Sequence, residues 1–172
     1  MNGGVLFFID NLMDAGGTVL WFIMLLSFLL WSLIIERFLY MRYVYPECRQ
    51  RWIDTWKTTT EKHSWRGHSI RAYYIAQAKL ELGKTIPIIK SLIALCPLLG
   101  LLGTVTGMIE TFDVMAVIGT GNARAMASGV SEATVTTMAG MVVAISCLYF
   151  SKRIEDRVDE EARHLADLLT YE

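Results

Sequence analysis

The sequence predicts an all-α membrane protein of three transmembrane helices with cytoplasmic helical extensions, and three observations carry that reading. The 172 residues contain three long stretches almost free of charge, and 15 of the 16 Lys and Arg residues fall in two of the segments that flank them. After the third stretch, apolar residues recur on a helical period through an otherwise charged segment. Composition agrees: 53% of residues are hydrophobic and 19% charged, where a soluble domain has roughly 45–50% and about 25%. The formal net charge of −1 offers no basic field for nucleic acid. Length leaves room for one domain, a single membrane domain over 1–172.

The elements follow in order. Residues 1–14, MNGGVLFFIDNLMD, lack the cationic start of a cleavable signal and are expected to stay as a periplasmic N-terminal segment. Within it Val5 to Met13 can form a short interfacial helix. Twenty-one uncharged residues separate Asp14 from Glu36, which places a first span at 15–36. The connection 37–90 is polar around Thr58–Gly67 and helical over 70–82. Nineteen uncharged residues separate Lys90 from Glu110, giving a second span at 91–112. A hairpin at 113–124 leads to a third span at 125–151, where 27 residues between Arg124 and Lys152 are interrupted only by Glu132. A bilayer core about 30 Å thick needs roughly 20 apolar helical residues, and each stretch meets that. The tail helix, 152–172, places Ile154, Val158, Ala162, Leu165 and Leu169 on one face, an amphipathic stripe whose natural partner is the segment before the second span.

Residues 1–36 hold no Lys or Arg; 37–90 hold eleven and the tail four. Basic residues accumulate on the cytoplasmic side, so the N-terminus is expected outside, the 37–90 connection and the tail inside, and the 113–124 hairpin outside.

Spans two and three differ chemically from span one. Span two reads CPLLGLLGTVTGM, with Pro97, Gly100, Gly103, Thr104, Thr106 and Gly107; span three steps through Ser128, Glu132, Thr136, Gly140 and Ala144 at intervals of four, with Thr134 and Thr137 alongside. Small residues let transmembrane helices approach closely and hydroxyls can bond between them, so Pro97, Gly100, Gly103, Gly107 and Gly140 are read as packing positions, Pro97 as a kink. Glu132 stands apart. A carboxylate within a span costs about 2.5–3.5 kcal/mol at a helix centre, and such groups usually face a bundle interior or a water-filled path. The bland account is an ion pair with Arg124. A polar wall with one acid needs more helices than three to enclose it, so the chain is expected to self-associate.

No enzyme chemistry is visible. Cys48, Cys96 and Cys147 form no CxxC pair, and His63, His68 and His164 do not cluster with other ligands. There is no GxxxxGK[ST] phosphate loop and no Gly-x-Ser-x-Gly elbow. No catalytic residue, metal or cofactor is assigned.

PLLGLLGTVTGMIETF (Pro97–Phe112) and GVSEATVTTMAGMVVAI (Gly129–Ile145) resemble the two signature stretches of the MotA/TolQ/ExbB proton-channel family, in its order and topology, and most closely its ExbB branch, the short forms serving TonB systems. The resemblance implies a homopentameric ring in the bacterial inner membrane around an ExbD-like single-span partner. It implies coupling of the proton motive force, through a TonB-like protein, to outer-membrane import of iron-siderophores, haem or vitamin B12. By position, Thr104 and Thr137 match the family's pore threonines and Glu132 its pore glutamate. On an ideal helix Glu132 and Thr137 are about 140° apart and Glu132 and Thr136 about 40°, so Thr136 is also a candidate for the pore face. The alternatives are a TolQ-like subunit energising TolA for envelope integrity, or a passive membrane scaffold.

Overall fold

The computed structural model describes residues 3–58, 65–118 and 123–169, with side-chain surroundings for 17–56, 65, 67–117 and 126–169. Every described element is helical. The helices are α1 (Gly3–Leu39), α2 (Tyr45–Thr58), α3 (Trp65–Gly83), α4 (Ile86–Ile118) and α5 (Ala123–Leu168), and a wide π turn at Tyr40–Val44 joins α1 to α2. Stretches within Gly17–Trp56, Gly67–Val117 and Met126–Leu168 are long and apolar enough to cross a membrane. The turn expected around Thr58–Gly67 and the tip of the 113–124 hairpin fall largely outside the described residues, as do the side chains of the N-terminal segment.

The chain divides into two compact units. The first comprises residues 1–31 and 91–148. Leu20, Ile23 and Leu30 of α1, Ile93 and Cys96 of α4, and Ala133, Thr136 and Cys147 of α5 are buried in it. Its outward surface is largely apolar too: Trp21, Phe22, Leu25 and Phe28, then Leu98, Leu101, Val105, Ile109 and Phe112, then Met138, Val142 and Ile145 are exposed. A unit apolar on both its inner and outer faces suits hydrocarbon rather than water. Between α4 and α5 the side chains shrink, and the two helices meet almost backbone to backbone. A Cβ placed on Gly140 would stand 2.6 Å from the Cys96 carbonyl oxygen, one on Gly100 3.0 Å from the Thr137 Cα, and one on Gly107 3.1 Å from the Ala133 Cβ. These pairs run in opposite directions along the two helices, so the seam is antiparallel. Pro97 lies within α4 on its exposed side, away from this seam. In α1, Gly17 interrupts the helical backbone at φ 57°, ψ −164°.

The second unit comprises residues 32–90 and 149–172. The tail stripe is its core: Ile154, Val158, Ala162, Leu165 and Leu169 are all buried, together with Ala78, Leu82, Tyr45 and Trp56. Ion pairs fix the tail beside α3, the start of α4 and α2, through Lys79–Asp159 at 2.8 Å, Lys90–Glu155 at 2.7 Å and Arg49–Glu161 at 3.4 Å. The Lys90 ammonium holds the Glu155 carboxyl below the usual carboxylate range, and Lys79 does the same for Asp159. Two arginines close helix ends. Arg37, 4% exposed, donates to the carbonyls of Leu82 and Glu81 at the end of α3 and lies 4.9 Å from the Tyr40 ring centre. Arg71 donates to Ala166 at 2.7 Å and to Leu169 at 2.8 Å, at the end of α5. The last carbonyls of a helix lack intrahelical partners and carry its negative pole, so a guanidinium there satisfies both needs.

Candidate proton-path site

Glu132 and, one turn further on, Thr136 and Thr137 lie on α5, and Thr104 lies on α4. The helices position them differently because the seam between α4 and α5 follows Gly129, Ala133, Thr136 and Gly140. That is a 4-3-4 spacing, which keeps to one face of a helix, whereas steps of four alone drift about 40° each time. Ser128, on the regular i,i+4 series, is accordingly exposed.

Thr136 sits in the middle of the seam. It is 1% exposed, its hydroxyl donates to the Ala133 carbonyl at 2.9 Å, and its side chain fills the space over Gly103. The missing side chain at Gly103 is what admits it, and within the single chain it is buried rather than at the surface. Thr137 lies at the rim of the seam, partly exposed, and donates across it to the Gly100 carbonyl at 3.0 Å. Thr104 is also partly exposed, with its hydroxyl turned back to the Leu101 carbonyl at 2.6 Å. Gly100, Gly103, Gly107 and Gly140 are buried in the seam, and Pro97 is not.

Glu132 occupies the other rim. It is partly exposed, and its carboxyl lies against Gly17 of α1, at the helix break. Glu110 of α4 is within electrostatic reach. Among the described residues no cation stands within ion-pair distance of Glu132; the side chain of Arg124, its alternative partner, lies outside them. No hydrogen bond among the described residues joins Glu132, Thr104 and Thr137. Within one chain they are three separate polar points along an apolar unit, one between α1 and α5 and two beside the α4–α5 seam. Among the described residues no group of three or more His, Cys, Asp or Glu side chains could hold a metal ion.

Gly17 is the residue that sequence reasoning did not single out. Its signal is the Gly16-Gly17 doublet just after Asp14, a costly pair inside an apolar helix.

Comparison with known proteins bears on the family of the chain. The sequence pattern described as the MotA/TolQ/ExbB proton channel family matches residues 53–167. A Synechocystis protein named ExbB-like 1 is 53% identical over 64 residues, 36% of this chain and 25% of that one. A second Synechocystis protein, ExbB-like 3, is 42% identical over 78 residues, 44% of this chain and 37% of its own length. The biopolymer transport protein exbB1 of Vibrio cholerae is 37% identical over 76 residues, 44% of this chain and 33% of its own. The chain thus spans about a quarter to just over a third of the length of these curated relatives. No solved structure matches it.

Proposed function

Because the chain belongs to the MotA/TolQ/ExbB proton channel family, we propose that it is the ExbB-type subunit of an inner-membrane proton-driven motor. Five copies form a ring around an ExbD-like single-span partner, N-termini periplasmic and C-termini cytoplasmic. Proton flow through the ring drives a TonB-like protein that energises outer-membrane import of iron-siderophores, haem or vitamin B12. The observation that carries this reading is Glu132, a partly buried acid set between α1 and α5 in a largely apolar three-helix unit. A carboxyl can take up and give up a proton where hydrocarbon surrounds it, and a scaffold has no use for the cost of placing it there. The names of the similar proteins favour the ExbB branch over a TolQ-like subunit.

In this mechanism Glu132 receives or relays the proton beside the partner helix, while Thr104 and Thr137 supply hydroxyls along the same path. One elementary charge crossing the membrane potential releases about 2.3 kcal/mol per 100 mV. The seam is the rigid part: Gly100, Gly103, Gly107 and Gly140 bind α4 to α5 so closely that each chain moves as one wall. The exposed leucines, valines and methionines of α4 and α5 are the greasy surface against which the partner or the next copy packs.

The test is iron-siderophore uptake in a deletion strain complemented with wild type, Glu132→Gln or Glu132→Asp, with membrane level and co-purification of the single-span partner followed in the same cells. Uptake should fall by at least about tenfold, roughly 1.4 kcal/mol in barrier height, in Glu132→Gln with assembly intact, and return in part in Glu132→Asp. Full uptake in Glu132→Gln would reduce the acid to a structural group. A defect in envelope integrity without an uptake defect would assign the chain to the TolQ-like role.

A further inference from the structure

We propose that α1 completes the proton-holding site: the break at Gly17 is the seat of the Glu132 carboxyl, and Gly17 is the positioning residue for it. The inference rests on the reading of Glu132 as a proton carrier and adds a helix that this reading does not use.

Two independent demands meet at Gly17. Its φ of 57° and ψ of −164° lie at the edge of a backbone region that is essentially reserved for glycine, and it is the one positive-φ residue among those described. Its Cβ position is also taken. The Glu132 Oε1 fills the space a side chain would need, with Cδ 3.2 Å and Cγ 3.9 Å from that point. The seam glycines of α4 face backbone, threonine or alanine, whereas Gly17 faces an ionisable group.

The break explains why a carboxyl belongs there. Non-helical backbone in a spanning helix leaves carbonyls and amides without intrahelical partners, and it is tolerated only where protein or water can satisfy them. A carboxyl answers both states. Protonated, it donates to a freed carbonyl; ionised, it accepts from a freed N–H or from water drawn to the break. Broken helices place ion and proton sites in membrane transporters for this reason. The ligand is therefore a proton, held between the Glu132 oxygens and backbone groups released at Gly17. Glu110 is the other acid in electrostatic reach.

The test uses the complex of this chain with its single-span partner in lipid vesicles. Proton flux is measured, and in parallel the pH profile of Glu132 modification by an apolar carbodiimide, read by mass spectrometry. Gly17→Ala should move the midpoint of that profile by about one pH unit and cut flux about tenfold. Gly17→Ala with Glu132→Asp, whose carboxyl is one methylene shorter, should recover part of both. A Gly17→Ala complex with an unchanged profile overturns the inference, whether flux is kept or lost, because a purely structural break would leave Glu132 titrating as before. If Gly17→Ala does not assemble, the wild-type complex decides: a carbon–carbon correlation between labelled Gly17 and the Glu132 carboxyl must be present in solid-state NMR, and its absence overturns the seat. Normal flux in Glu132→Gln would instead sink the proton-carrier reading, while the labelling and NMR arms would still report on the seat.

Discussion

Gly140→Ala should loosen the α4–α5 seam by an amount the geometry sets. The added Cβ would stand 2.6 Å from the Cys96 carbonyl oxygen and near the Gly100 Cα, at 3.3 Å. An unstrained carbon–oxygen approach is about 3.3–3.6 Å, so α4 and α5 must part by about 0.7–1 Å there. Because the opposing atoms are backbone, no side chain can rotate aside. The Thr137 hydroxyl bond to Gly100, 3.0 Å long and one turn away, would then stretch out of range. Overpacking costs about 1–3 kcal/mol, and an interhelical bond in a membrane averages about 0.6 kcal/mol. Helix propensity returns up to about 1 kcal/mol when alanine replaces glycine. The balance is a loss of about 1–3 kcal/mol. Gly83→Ala is the matched control, since nothing lies within 4 Å of its Cβ position; it should be neutral or stabilising by up to about 1 kcal/mol. Both are measured on purified chain in mixed micelles by titration with dodecyl sulfate, following energy transfer across the α4–α5 hairpin. A Gly140→Ala chain at least as stable as wild type would refute the close-packed seam.

Two further outcomes follow from the second unit. Tyr45 is 3% exposed and burial pushes its hydroxyl up to about 12 from 10.0. A folded-state value above the unfolded one gives stability that is complete below pH 10 and lost as pH climbs towards 12. The wild type should therefore lose about 2–3 kcal/mol over that interval that Tyr45→Phe does not, measured by thermal melts in nanodiscs; parallel alkaline losses would refute it. Arg37→Met should cost about 2–4 kcal/mol in the same melts, because it strips charged hydrogen bonds from buried carbonyls of α3. Lys79→Met, which removes an exposed ion pair, should stay within about 1 kcal/mol; equal costs for the two would show that the Arg37 contacts carry no weight.

The spans were legible because exclusion of charge over some 20 residues has few causes other than a bilayer. The tail stripe was legible because five apolar positions in a charged segment admit one helical face, and that face is buried. Opposite faces were harder. Thr136 lies about 40° from Glu132 on a helical wheel, close enough to suggest a shared face. Yet Gly103, distant in sequence, provides the gap that draws Thr136 into the seam and leaves Glu132 at its rim. Periodicity says which residues share a side of a helix but not what stands across from them. For the same reason nothing near Arg37 or Arg71 in the sequence names the carbonyls they reach, 44 and 95 residues away. The place of Glu132 beside Gly17 is likewise a property of two helices meeting.

The division of labour among polar groups bears on how such a chain could serve a moving partner. In the first unit several outward hydroxyls are already satisfied by their own helices: Thr104 on Leu101, Thr134 on Ser131 at 2.8 Å and Ser146 on Val142 at 2.8 Å. Internally bonded hydroxyls offer a neighbour only weak additional contacts, because an outside bond would have to replace one already made. The glycines, whose backbones could grip another helix, are used up inside the chain against α5. Most of what remains outside is branched and aromatic hydrocarbon, which packs without directional bonds and lets a neighbouring helix slide or turn at low cost. The ionisable groups at this surface include Glu110 of α4, which is exposed, and Glu132, held at the rim of α5 by the gap at Gly17. If Glu132 carries a proton as proposed, its charge is the feature of this largely apolar surface most sensitive to where a partner helix stands, and that would couple proton occupancy to the partner's position.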